Sequence, residues 1–178
     1  MNNRGDTNTI NKLTNVLFIL YLVELLWILV FKLGVRFSYM GNRKVSLLPF
    51  SEPSILNGKI DFSEMILKTV IFIPLGIYAG ILFKKWMFGK KFFFFFLISL
   101  IVEGLQFILA VGAFDTTDIV TNTLGGVIGL MIFKAIEKAF NNSVKTQKFI
   151  NIIAATGTVS MILLLLLLKM DMLPVRYK

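Results

Sequence analysis

The chain reads as an all-α, polytopic transmembrane helical bundle, on three observations. Of its 178 residues, 56% are hydrophobic, against roughly 45–50% in soluble domains. Its mean hydropathy is +0.79. The apolar excess is gathered into runs of about 18 to 20 residues, each long enough to cross a hydrocarbon core about 30 Å thick. Five such spans are expected, with an interfacial segment between the first and second.

The first span, Val16–Leu33, follows a polar N-terminus over residues 1–15. Glu24 interrupts its apolar run and no small-x-small cleavage site follows, so it reads as an uncleaved helix rather than a signal peptide. Within the connection Gly34–Glu64, Val45-Ser46-Leu47-Leu48-Pro49-Phe50 reads as a short extended or interfacial piece, because Pro49 disfavours helix at Leu48. The second span, Ile66–Phe83, contains Phe72-Ile73-Pro74-Leu75-Gly76. Its proline frees a backbone carbonyl and favours a kink. The third, Phe92–Val111, opens on five phenylalanines beside Lys90 and Lys91, as an interfacial aromatic belt would. The fourth runs over Ile119–Phe133 and a few residues beyond. Residues 16–140 form the main membrane domain, and residues 141–178 add a loop, a fifth span (Phe149–Leu168) and a short tail.

Composition removes whole classes of chemistry. Cys and His are both absent, so there is no disulfide, no thiol nucleophile, no Ser–His or Cys–His pair and no zinc or haem site of the usual kind. No cofactor is evident. A divalent hard cation held by oxygens stays open, with Asp115 and Asp118 as candidate ligands. The formal charge of +9 comes from lysines flanking apolar runs, which points to membrane lipids as partners and not to nucleic acid. Lys84, Lys85, Lys90 and Lys91 lie between spans two and three, and Lys134, Lys138, Lys145 and Lys148 follow span four. The link between spans three and four has no Lys or Arg. The positive-inside rule therefore places the N-terminus in the cytoplasm and the Asp115–Asp118 link outside. Arg36, Arg43, Lys44 and Lys59 in the Gly34–Glu64 connection weigh against that orientation.

Two apolar stretches carry polar groups at helical spacing. Ser99, Glu103, Gln106 and Ala110 are spaced four, three and four apart, and so are Asp118, Asn122, Gly125 and Gly129. A carboxylate in hydrocarbon costs a few kcal/mol or more, so Glu103 marks either a functional site or an interhelical hydrogen bond that serves packing. Asp115 suits a helix N-cap and Asp118 the positive end of the helix dipole. Gly125 and Gly129, like Gly76 and Gly80, permit close helix approach. Capping does not require Asn122.

Together these residues resemble the VanZ-like family of bacterial membrane proteins over about residues 13–140. The elements that match are Leu48-Pro49-Phe50, then Phe72-Ile73-Pro74-Leu75-Gly76, then Glu103 with Gln106. An aspartate-rich turn with asparagine-threonine-x-glycine follows, here Asp115, Asp118, Asn122, Thr123 and Gly125. The family turn often has three acidic positions after an arginine; here Thr117 takes the middle one and Gly112-Ala113 precede it. Lys68 stands where an Asn is usual before the phenylalanine-proline element, and offers a cation in place of the missing one.

The resemblance implies a multi-pass protein of the Gram-positive plasma membrane that confers low-level tolerance to glycopeptides, chiefly teicoplanin. It suggests teicoplanin or a lipid-linked cell-wall precursor as partner. In a binding or shielding role, Glu103, Asp115 and Asp118 would recognise polar or cationic groups, Gln106 and Asn122 would hydrogen-bond, and Arg43 and Lys44 would meet a headgroup. Two alternatives stand beside it. One is a metal-assisted enzyme on a lipid-linked envelope substrate, with Glu103 as acid or base. The other is an accessory subunit packing through its small-residue faces. The sequence does not fix the oligomeric state.

Overall fold

The computed structural model describes residues 3–31, 45–50, 55–56, 59–60 and 62–169. Five helices account for nearly all of it: α1 (Asn3–Phe31), α2 (Ser63–Leu82), α3 (Phe88–Ile108), α4 (Thr116–Phe140) and α5 (Ser143–Lys169). Two-residue strands β1 (Val45–Ser46), β2 (Ile55–Leu56), β3 (Lys59–Ile60) and β4 (Phe114–Asp115) complete it. The protein is an all-α, multi-pass membrane protein. Among the described residues, four helices are long and apolar enough to cross a membrane, over Asn8–Val30, Met65–Leu82, Phe88–Ile108 and Thr116–Phe140. The fifth expected span, Phe149–Leu168, lies wholly inside α5.

The chain divides into two compact units, one of residues 1–21 with 140–178 and one of residues 22–139. The smaller unit is held by neutral polar side chains. The Gln147 Nε2 amide donates to Thr14 Oγ1 at 2.7 Å and to Asn11 Oδ1 at 3.0 Å. The Thr14 hydroxyl lies 2.9 Å from the Ile10 carbonyl and 3.0 Å from Asn151 Oδ1. Thr14, Thr146, Gln147 and Asn151 are all buried. Spacing of three on α1 and four on α5 puts each pair on one helix face.

The larger unit is built on a helix seam without side chains. A Cβ on Gly129 would stand 1.9 Å from the Ile73 carbonyl oxygen, one on Gly125 2.2 Å from that of Thr69, and one on Gly76 1.9 Å from that of Gly126. Helices α2 and α4 therefore meet backbone to backbone, with Cα–H groups facing carbonyl oxygens. Phe72 and Leu75 of α2 and Phe95 of α3 are fully buried around this seam. Pro74 sits inside α2 without ending it.

The third span ends earlier than the apolar run does. The expected Phe92–Val111 becomes Phe88–Ile108, and Ala110 does not share the helical face of Ser99, Glu103 and Gln106. Ala110 adopts φ 55°. The Val111 amide donates to the Gln106 carbonyl at 3.0 Å and the Ala110 amide to that of Phe107 at 3.2 Å. These two bonds make a Schellman cap with alanine where glycine is usual, and the left-handed turn starts the chain back toward α4.

Candidate functional site

The polar residues singled out in the sequence converge where α3 gives way to α4. Asp115 is the N-cap of α4: its Oδ1 accepts from the Thr117 amide at 2.7 Å, satisfying one of the free donors of the first turn. The Asp115 amide in turn donates to Glu103 Oε2 at 3.2 Å, so the buried carboxylate of α3 holds the turn that starts α4. Asp118, in the first turn of α4, forms an ion pair with Lys68 of α2. Both side chains are largely shielded, at 14% and 13% exposure. Glu103 lies within electrostatic reach of Asp118, Lys68 and Asp115, which among the described residues makes three carboxylates to one ammonium. Lys68 thus supplies a cation at the acidic turn. Glu24, half-buried in α1, lies within electrostatic reach of Tyr78.

One turn deeper, the Asn122 amide donates to Ser99 Oγ at 3.1 Å. Asn122 is fully buried, and among the described residues its Oδ1 has no hydrogen-bond partner. A buried acceptor left unpaired costs on the order of 1–3 kcal/mol. Gln106 points elsewhere. Its Nε2 donates to the Leu29 carbonyl of α1 at 2.7 Å. Gln106 therefore ties α3 to α1 while Glu103, three residues earlier, holds the turn that starts α4.

The Leu48-Pro49-Phe50 element joins the site through backbone. Strand β1 pairs in parallel with β4, Val45 opposite Phe114 and Ser46 opposite Asp115. The Thr116 hydroxyl donates to the Ser46 carbonyl at 3.2 Å, and the Phe50 amide donates to Thr117 Oγ1 at 3.0 Å. The expected extended piece is thus two residues of strand followed by a turn, with Phe50 at φ 60°. Leu47, Leu48 and Phe50 are 68%, 71% and 60% exposed beside the acidic turn. The hydroxyls of Thr116 and Thr117 were not marked out by the sequence, since two threonines after an aspartate read as ordinary helix start. Arg43 and Lys44 lie outside the described residues.

The arrangement sets three carboxylates beside an exposed apolar turn. Among the described residues no three acidic side chains converge as ligands would. Asp118 is turned to Lys68, and Asp115 and Glu103 are each engaged with a backbone amide.

The VanZ/LLP1 family model matches residues 18–137. The chain belongs to the VanZ-like family. The match takes in α2, α3, the acidic turn and nearly all of α4, so the site lies wholly inside the family region. This VanZ-like chain is also similar to Protein VanZ of Enterococcus faecium, with 37% identity over 156 residues, 86% of this chain and 91% of that protein. No solved structure matches it.

Proposed function

We propose that this VanZ-like protein confers low-level tolerance to teicoplanin by binding the antibiotic, or by shielding the lipid-linked wall precursor it targets, at the outer leaflet of the bacterial plasma membrane. With the N-terminus in the cytoplasm, the lysine-free link between α3 and α4 faces the exterior. The observation that carries the reading is the juxtaposition at that link of Glu103, Asp115 and Asp118 with the exposed apolar turn at Leu47–Phe50. An amphiphile with an acyl chain and cationic or hydrogen-bonding groups matches both halves. In this role Asp115 and Asp118 meet the ligand, Glu103 holds Asp115 in place, and Lys68 limits the negative charge. The engagement of all three carboxylates in caps and an ion pair favours binding over metal-assisted catalysis.

The test is teicoplanin and vancomycin susceptibility of a host expressing wild type, Glu103→Gln and Asp118→Asn at matched membrane levels. Wild type should raise the inhibitory concentration of teicoplanin more than that of vancomycin, and both variants should return it to the host's own value. Equal protection by all three would reduce the carboxylates to packing and capping groups.

A further inference from the structure

The opposite end of α3 carries a second feature, independent of the acidic turn. Residues 84–91 read Lys-Lys-Trp-Met-Phe-Gly-Lys-Lys, four cations with no acid among them. An open groove of about 370 Å³ is lined there by Trp86, Gly89, Lys90, Phe93, Phe94 and Leu97, a size usual for small-molecule sites. Its walls are aromatic. Trp86 stacks on Phe83 with ring centroids 4.3 Å apart, and Phe94 meets both rings edge-on at 5.4 and 6.1 Å. Along α3 the lining runs from Lys90 through Phe93 and Phe94 to Leu97, from cationic at the helix start to apolar two turns deeper.

That gradient runs along α3, a helix long and apolar enough to cross a membrane, and has the polarity of a phospholipid. At the mouth, the first turn of α3 has no side-chain cap and no acidic residue, so its positive end adds to Lys90. A Cβ on Gly89 would meet nothing within 4 Å, which leaves room beside the backbone for a headgroup. Lys84 is drawn to Glu137 at 3.9 Å, while Lys85 and Lys90 are exposed. The local charge is therefore positive and unbalanced, and it calls for an anion whose remainder is apolar.

We infer that this groove is a binding site for an anionic phospholipid, its phosphate at Lys90 and the start of α3 and an acyl chain along Trp86, Phe93 and Leu97. Zwitterionic lipid fills the same groove without the electrostatic gain, worth about fivefold in preference for one lysine near a membrane surface.

Trp86 is its own reporter. In the full-length protein carrying Trp27→Phe, brominated phosphatidylglycerol should half-quench Trp86 fluorescence at about fivefold lower mole fraction than brominated phosphatidylcholine. Lys90→Gln should bring the two lipids together, and Lys90→Arg should restore the difference. Gly89→Glu places a carboxylate in the open mouth, at a helix start that tolerates it, and should also abolish the preference with an unchanged thermal melt. Equal quenching by both lipids in the Trp27→Phe parent would overturn the proposal in favour of ordinary boundary lipid. A preference that survives both Lys90→Gln and Gly89→Glu would overturn it in favour of diffuse surface charge.

Discussion

Asn11, Thr14, Gln147 and Asn151 in the smaller unit, and Lys68, Glu103, Asp115, Asp118 and Asn122 in the larger, are both polar clusters among membrane helices, yet they are composed differently. The first is neutral, and its buried side-chain atoms all find partners. The second, among the described residues, holds three carboxylates against one ammonium and leaves Asn122 Oδ1 unpaired. A cluster that only joins helices reaches its best state when every donor and acceptor is used. Under the proposed function, the second cluster trades some of that satisfaction for its ligand.

Substitutions can break the contrast. The largest effect is expected at the ion pair. Lys68→Met removes this ammonium from a largely shielded carboxylate and should cost up to about 3–5 kcal/mol in a mixed-micelle unfolding measurement. Adding Asp118→Leu should recover most of that loss; a single-variant loss below about 1 kcal/mol would make the pair a surface contact. Next comes the seam. Gly129→Ala drives a Cβ into the Ile73 carbonyl and should cost on the order of 3 kcal/mol. Gly157 of α5 has nothing within 4 Å of such a Cβ, so Gly157→Ala should raise stability by up to about 1 kcal/mol.

The neutral cluster should respond less. Gln147→Leu loses two hydrogen bonds and is expected to cost about 1 kcal/mol, with teicoplanin susceptibility unchanged. Pairing it with Thr14→Val should bring the loss nearer zero, since both sides of one bond then go apolar. The smallest stability effect belongs to Asn122→Leu, of similar volume. Loss of the bond to Ser99 is offset by removal of the orphan acceptor, so the midpoint should move by less than about 1 kcal/mol while tolerance falls to the host's level. A large destabilisation there, or retained tolerance, would place Asn122 with the packing residues after all.

Much of the larger unit was legible beforehand because its signals are local. Apolar length marks the spans, and helical spacing gathers Ser99, Glu103 and Gln106, as well as Asp118 and Asn122. Asp115 before two threonines announces a cap. What escaped depends on tertiary partners. Gln106 looks like a companion of Glu103 but bonds to α1, because a three-residue step turns it enough to reach the Leu29 carbonyl. The early end of α3 carries no glycine at its left-handed residue, so hydropathy ran on through Ala110. The pairing of Lys68 with Asp118 rests on fifty residues of separation that only the fold closes. In α5, Gln147 and Asn151 are four apart, but their partners Asn11 and Thr14 lie more than 130 residues away.

The glycine seam between α2 and α4 bears on how such a chain can change over generations. Every replacement of Gly76, Gly125 or Gly129 adds at least a Cβ where another backbone already lies. Val45 and Leu47, by contrast, are more than half exposed, and their side chains can be exchanged without moving a helix. Selection for a folded protein alone would therefore freeze the seam and leave that exposed segment open to drift, so lineages sharing this helix pair can diverge there while inheriting the same frame.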